Sequence, residues 1–263
     1  MGDRRDAVDA VPLDNQVRTI IRIAPGVHRQ PLYIPKSKNF ITLCGSPIKD
    51  TVISWDNKAT RIQHTQVVPH GTGTFGDATV IVEGDDFIAE NIIFRNSAPQ
   101  VSGQALSVRV TADRCAFYNC QFLGCAHALV TPGVSQHGRR SSSESTAFVF
   151  FKCVITGNGE AAYMYLGRPW EPFGRVVFAE TFMDRCIEPA GWHNWDKTEN
   201  EKTACFYEYR CSGPGSSTSQ RVAWCRELDG DEAIPFLIQT FIDPDFESPW
   251  LVHKLGTELP SSA

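Results

Sequence analysis

Four features are missing from this sequence, and each absence removes a class of protein. No apolar run approaches the roughly 18 residues needed to cross a bilayer, so a transmembrane helix is excluded and no membrane partner is expected. Arg4 and Arg5 are not followed by an apolar stretch, and Asp6 stands where a myristoylation signal wants Ser or Thr, so neither export nor anchoring is expected from the chain as written. Lys and Arg form no stripe and the net charge is −5, which argues against a nucleic-acid surface. No CxxC pair and no Cys/His cluster with metal-ligand spacing occurs, so no metal site of that kind is expected.

The nine cysteines are an odd number, which rules out complete intramolecular pairing, and Cys120 and Cys153 read as small buried hydrophobes within apolar strand patterns. Helical periodicity is scarce too. The best helix candidates are Ala7 to Val11 and the stretch from Asp229 to Ala233, one near each end.

What is present is repetition. VIVEGDDFIAENIIFRN, VRVTADRCAFYNCQF, TAFVFFKCVITGN and GRVVFAETFMDRC share one strand-like pattern, which makes Ile92, Cys120, Cys153 and Thr181 equivalent. Each unit has short Val-, Ile- and Phe-rich strands divided by polar turns such as EGDD and TAD. The pattern predicts an all-β chain, a single-stranded right-handed parallel β-helix whose stacked coils bury one continuous core. A jelly roll or sandwich is the competing reading, but it has no need of the equivalent Asn91 and Asn119, which fit a side-chain ladder along a solenoid. From Glu188 onward the chain is polar, aromatic and turn-rich, which reads as long C-terminal loops packed along the solenoid within a single domain, 1–263.

LGRPW, Leu166 to Trp170, is the most distinctive pentapeptide. With Tyr163, Tyr165 and Phe173 around it, it sets a cationic fork beside an apolar platform, suited to an acidic sugar that stacks on an indole face. The bland alternative is an Arg capping a turn beside a half-buried Trp. Trp192 and Trp195 in GWHNW either line a carbohydrate groove or pin loops to the coils. Gln104 offers a neutral amide to an ester carbonyl or a developing oxyanion, or is a plain turn residue.

The blocks GVHRQPLYIPKSKNFITLCG, GTGTFGDATVIVEGDDFIAENIIFRNSAP, GQALSVRVTADRCAFYNCQFLG, YLGRPWEPFGRVVF and GWHNWD, in that order, resemble the plant-type pectin methylesterases over nearly the whole chain. The resemblance implies a pectin-lyase-like solenoid that hydrolyses methyl esters of homogalacturonan without metal or cofactor, using two aspartates. It implies a pectin partner, a monomer and work in the cell wall. It also places substrate contacts at Thr74, Gln104, Arg168 and Trp170.

The resemblance fails at the catalytic centre. Where the family has Gln-Asp-Thr-Leu, this chain reads Ala126-His127-Ala128-Leu129, which puts His127 at the acid/base position. The strand bearing the nucleophilic Asp has no counterpart, and TPGVSQHGRRSSSES leads directly to the next coil. About two coils are therefore expected to be missing near 128–146, together with the N-terminal opening strand, whose motif reads His28 and Gln30. Three readings follow: a family member with impaired catalysis, a pseudoenzyme that grips pectin or a partner, or another β-helix carbohydrate enzyme. The last would need a Ca²⁺-binding Asp cluster or a group of catalytic aspartates, and neither is found.

Overall fold

A computed structural model describes residues 4–56, 78–99, 106–124, 141–144, 146–157, 161–162, 164–169, 172–194 and 196–237. The chain divides into two compact units, Met1–Gly133 and Val134–Ala263. Each unit is built of parallel sheets in which every strand pairs with its equivalent in a neighbouring coil, the arrangement of a parallel β-helix.

Among the described residues the first unit has three such sheets. One runs β1 (Thr19–Arg22), β4 (Ile41–Cys44), β7 (Ile88–Glu90), β10 (Ala116–Tyr118). A second runs β2 (Gly26–Arg29), β5 (Thr51–Trp55), β8 (Ile93–Asn96), β11 (Gln121–Gly124), and a third β3 (Leu32–Ile34), β6 (Val80–Val82), β9 (Val108–Val110). In the second unit, β12 (Phe148–Phe151), β14 (Arg175–Ala179), β16 (Cys205–Tyr209) and β17 (Cys225–Glu227) form one sheet and β13 (Val154–Ile155) pairs with β15 (Phe182–Met183).

The equivalences read from sequence hold within each unit. Gln121 pairs with Ile93 and Val154 with Phe182, each a 28-residue step, so Cys120 lies beside Ile92 and Cys153 beside Thr181. Inward positions fill the coils: Leu32, Ile34, Val80, Val82, Phe87, Ala89, Ile92 and Phe94 are buried together. Aromatic rings stack between coils, Phe94 on Phe122 at 5.6 Å and Phe150 on Phe178 at 4.5 Å between centroids.

Both units turn corners on residues with positive φ. In the first, Asn91 (φ 56°) and Asn119 (φ 48°) occupy equivalent corners, and Asn119 Nδ2 donates to Asn91 Oδ1 at 2.7 Å. Asparagine suits this place because it tolerates the left-handed conformation and its amide both donates and accepts along the column. The second unit puts Lys152 (φ 52°), Glu180 (φ 48°) and Arg210 (φ 46°) at its corners, with Lys152 Nζ 3.8 Å from Glu180 Oε2. Charges of alternating sign replace the amide ladder there.

A helix packs on the core of each unit. α1 (Arg4–Asp9) sets Val8 against the first unit's core, which Val11 joins just beyond it, and Lys38 Nζ donates to Val8 O at 2.8 Å and Asp9 O at 2.7 Å. A cation there satisfies helix C-terminal carbonyls and opposes the helix dipole. α3 (Gly230–Leu237) begins with a capping box, Glu232 N donating to Asp229 Oδ1 at 2.9 Å and Asp229 N to Glu232 Oε2 at 3.3 Å. Its Ala233, Phe236 and Leu237 pack with Val149, Val177 and Tyr209, while Phe178 on the other face of β14 packs on Trp192, so β14 is covered on both faces. That accounts for the apolar run VVFA that follows Arg175 in β14. A short α2 (Thr198–Glu201) has no counterpart among the helices expected from sequence.

Eight described cysteines are free thiols. Burial pushes Cys115 and Cys120 up to about 12 and Cys153 up to about 11, so each favours its neutral form when folded. Because unfolded thiols ionise near pH 9 while the folded ones hold their protons, this stability is complete below pH 9 and is lost as pH rises toward 11 to 12. Denaturant midpoints measured from pH 8 to 11 should fall accordingly, and Cys120→Ala should flatten the fall. Asn119→Ala loses the ladder hydrogen bond and strains the corner, which should cost about 1–2 kcal/mol in denaturant unfolding, whereas Asn119→Gly should cost less.

Candidate functional site

Of the residues singled out in the sequence, Arg168 lies among the described residues; Thr74, Gln104, His127 and Trp170 lie outside them, as do Ala126 and Trp195. Two parallel bridges, Met164 to Ile187 and Gly167 to Trp192, align the segment before Arg168 with the chain that follows it. Met164 N donates to Cys186 O at 3.0 Å, Leu166 N to Gly191 O at 2.7 Å and His193 N to Gly167 O at 3.2 Å. Leu166 is 1% exposed, so this arm is anchored in the core immediately before Arg168.

Arg168 is half-buried, with its guanidinium carbon 5.7 Å from the centroid of the Tyr165 ring. Desolvation lowers its pKa and the nearby Tyr165 hydroxyl opposes the shift, and the guanidinium stays charged at any physiological pH. The Tyr165 ring in turn lies 5.0 Å from that of His193. A partly desolvated guanidinium beside aromatic faces suits an anionic or ester-bearing sugar, because its fork grips oxygens while the rings pack against sugar C–H faces.

Trp192 resolves the choice left open by the sequence. It is 1% exposed, packs on Phe206 at 4.5 Å between centroids and donates Nε1 to Glu208 Oε1 at 3.2 Å, so it pins the loop rather than lining a groove. It also explains Gly167, where a Cβ would sit 3.0 Å from Trp192 Cζ3.

Behind Trp192 lies a buried ion pair that sequence reasoning missed. Arg221 Nε donates to Glu208 Oε1 at 2.8 Å and Nη2 to Glu208 Oε2 at 3.0 Å, with both side chains under 5% exposed. The same guanidinium donates to Pro189 O at 3.0 Å and Gly215 O at 2.7 Å. Gly191, at φ 70°, leaves room for it, since a Cβ there would meet Arg221 Cδ at 2.5 Å. The only sequence signal for this pair is Glu208, an acid inside the apolar strand CFYEY; Arg221 sits in a serine-rich run with no pattern at all. No group of three or more His, Cys, Asp or Glu side chains able to hold a metal occurs among the described residues.

With this geometry in place, comparison with known proteins gives a consistent result. A family model described as Pectinesterase matches residues 3–136 and 130–245. Pectinesterase 31 of Arabidopsis thaliana is 52% identical over 297 aligned positions, covering 98% of this chain and 94% of that protein. Pectinesterase QRT1 of the same plant is 32% identical, covering 91% of this chain and 73% of its own. Among solved structures, the pectin methylesterase from carrot superposes with a TM-score of 0.63 at 28% identity, covering 90% of this chain and 86% of that one. The enzyme from Aspergillus niger, at 24% identity and TM-score 0.63, supports the fold. The alignment with Pectinesterase 31 exceeds this chain's 263 residues by 34, so at least 34 aligned positions have no residue here.

Arg221→Met or Glu208→Leu alone strands a buried charge and should cost about 3–5 kcal/mol in denaturant unfolding, while the double substitution should recover much of that loss.

Proposed function

The chain belongs to the pectinesterase family, and on that footing we propose that it retains the family's grip on methyl-esterified homogalacturonan while its ester hydrolysis is severely impaired. The observation that carries this reading is the state of Arg168: a charged, half-buried guanidinium on a core-anchored arm, flanked by Tyr165 and His193. Such an arm grips the ester or carboxylate oxygens of a polysaccharide without any further catalytic group. Thr74, Gln104 and Trp170 are the other contacts in this reading, and the whole of 1–263 serves as one pectinesterase-like domain.

The catalytic half of the proposal rests on the sequence. Hydrolysis by this family's chemistry needs a carboxylate to attack the ester carbonyl, a second to pass the proton to methanol and then activate water, and an amide to hold the oxyanion. Ala126 and His127 stand in two of these places, and no Asp or Glu lies between Gly124 and Arg140. Losing the nucleophile of a catalytic unit lowers rates by about 10⁴ to 10⁶. The missing positions support placing the loss in this stretch. They amount to more than one 28-residue coil, and the two stretches matched by the family model meet at 130–136.

Two measurements test the proposal on one purified sample: methanol release from highly methyl-esterified pectin, and calorimetric binding of the same polymer. The expected result is release near the blank with measurable binding that weakens about ten-fold in Arg168→Ala, the loss of one charge-assisted contact. Robust release that vanishes in His127→Ala would replace this reading with a histidine-dependent esterase. Absence of binding would remove the pectin assignment.

A further inference from the structure

Arg168 is followed by Pro169, whose ring restricts the backbone of the preceding residue to extended conformations. The direction in which the arginine leaves the chain is therefore set by where Pro169 is held. Pro169 is buried, and its carbonyl accepts a hydrogen bond from Asn200 Nδ2 at 2.8 Å. Asn200 belongs to α2, is 3% exposed, and is the one buried residue of that four-residue helix.

The same short element makes a second attachment. Phe173 N donates to Thr203 Oγ1 at 3.1 Å, and Thr203 is tied back to Asn200 by its own N–H to Asn200 O at 3.1 Å and its hydroxyl at 3.3 Å. Ala204 N also donates to Asn200 O at 2.9 Å. On the other side of Arg168, Gly167 O accepts from His193 N. The arm is thus clamped before Arg168 by the GWHNW segment, and after it at Pro169 and Phe173 by α2 and the turn that follows. The clamp brackets Trp170 in the sequence.

We infer that Asn200 is a positioning residue for pectin recognition, its buried amide fixing the Pro169 carbonyl and with it the approach of Arg168 to the polysaccharide. The inference rests on the pectin-binding reading given above and adds to it an element, α2, that touches no substrate. A buried amide suits this task because proline offers only a carbonyl, so the partner must be a donor, and a neutral donor adds no charge beside the guanidinium. A helix of four residues has little stability of its own, which makes its bonds to the arm mutual: the arm orders α2 as α2 orders the arm.

The test is a coupling measurement. Binding of a highly methyl-esterified homogalacturonan oligosaccharide is measured by calorimetry for the wild-type chain, Asn200→Leu, Asn200→Ala, Asn200→Gln and Arg168→Ala, and for Asn200→Leu combined with Arg168→Ala, with thermal unfolding recorded for each. Asn200→Leu keeps roughly the volume and removes the donor without placing a charge beside the guanidinium, so it should weaken binding about ten-fold, the equivalent of one hydrogen bond. In the Arg168→Ala background the same change should cost less than about two-fold, because residues that act through one another are not additive. Asn200→Gln, which keeps an amide donor, should recover part of the loss. If the fold-loss is equal with and without Arg168, or if Asn200→Leu and Asn200→Ala bind like wild type while Arg168→Ala does not, the positioning role is overturned and the pectin reading stands. If Arg168→Ala itself binds like wild type, the pectin reading of this arm fails, and the role of Asn200 fails with it.

Discussion

One buried carboxylate organises the second unit. Glu208 sits on β16, where a parallel strand enclosed on both faces would ordinarily carry an apolar side chain. Its two oxygens receive Arg221 through both Nε and Nη2, and Oε1 also receives Trp192 Nε1. Because Arg221 then binds the carbonyls of Pro189 and Gly215, loops that share no strand with one another are fastened to a single point in the sheet. A buried charge pair costs desolvation and yields little net stability, so its value here is in specifying which loop lies where.

That fastening reaches the arginine of LGRPW by a short route. Glu208 orients the indole of Trp192; the indole occupies the space beside Gly167; Gly167 precedes Arg168. Every step is a contact that excludes alternatives: a larger residue at 167 meets the indole, and a larger one at 191 meets the Arg221 stem. The side chain that would contact a sugar is thereby held by residues that never reach it, so that little conformational freedom is left to lose on binding.

How much of this was legible in the sequence follows from how local each feature is. The equivalence of Ile92 with Cys120, and of Cys153 with Thr181, could be read because those coils step by 28 residues and each corner demands the same backbone conformation. The earlier coils could not be read that way: Thr19 pairs with Ile41 and Thr42 with Ile88, so the steps are 22 and 46 residues and no period exists to find. Helix positions near both ends were legible but shifted, the first lying at Arg4–Asp9 rather than Ala7 to Val11 and the last extending past Asp229–Ala233 to Leu237. The chemistry of Arg168 was visible in its neighbours, whereas Asn200 and Arg221 were not. Their partners lie 31 and 13 residues away in polar, turn-rich chain, where composition does not distinguish a buried amide or guanidinium from a solvated one.

The packing of these two helices bears on how such a chain varies in length. α1, locked by Lys38, and α3, started by its Asp229–Glu232 box, are each fitted to side chains of particular strands. Interior coils meet only copies of their own cross-section, through ladders that repeat from one coil to the next. Gain or loss of a whole turn is therefore far less disruptive where strands meet only strands than beneath a helix, provided the rejoined strands keep their alternation of inward and outward residues. In such an architecture the catalytic strands are as expendable to folding as any other interior turn, so selection for folding alone does nothing to keep them.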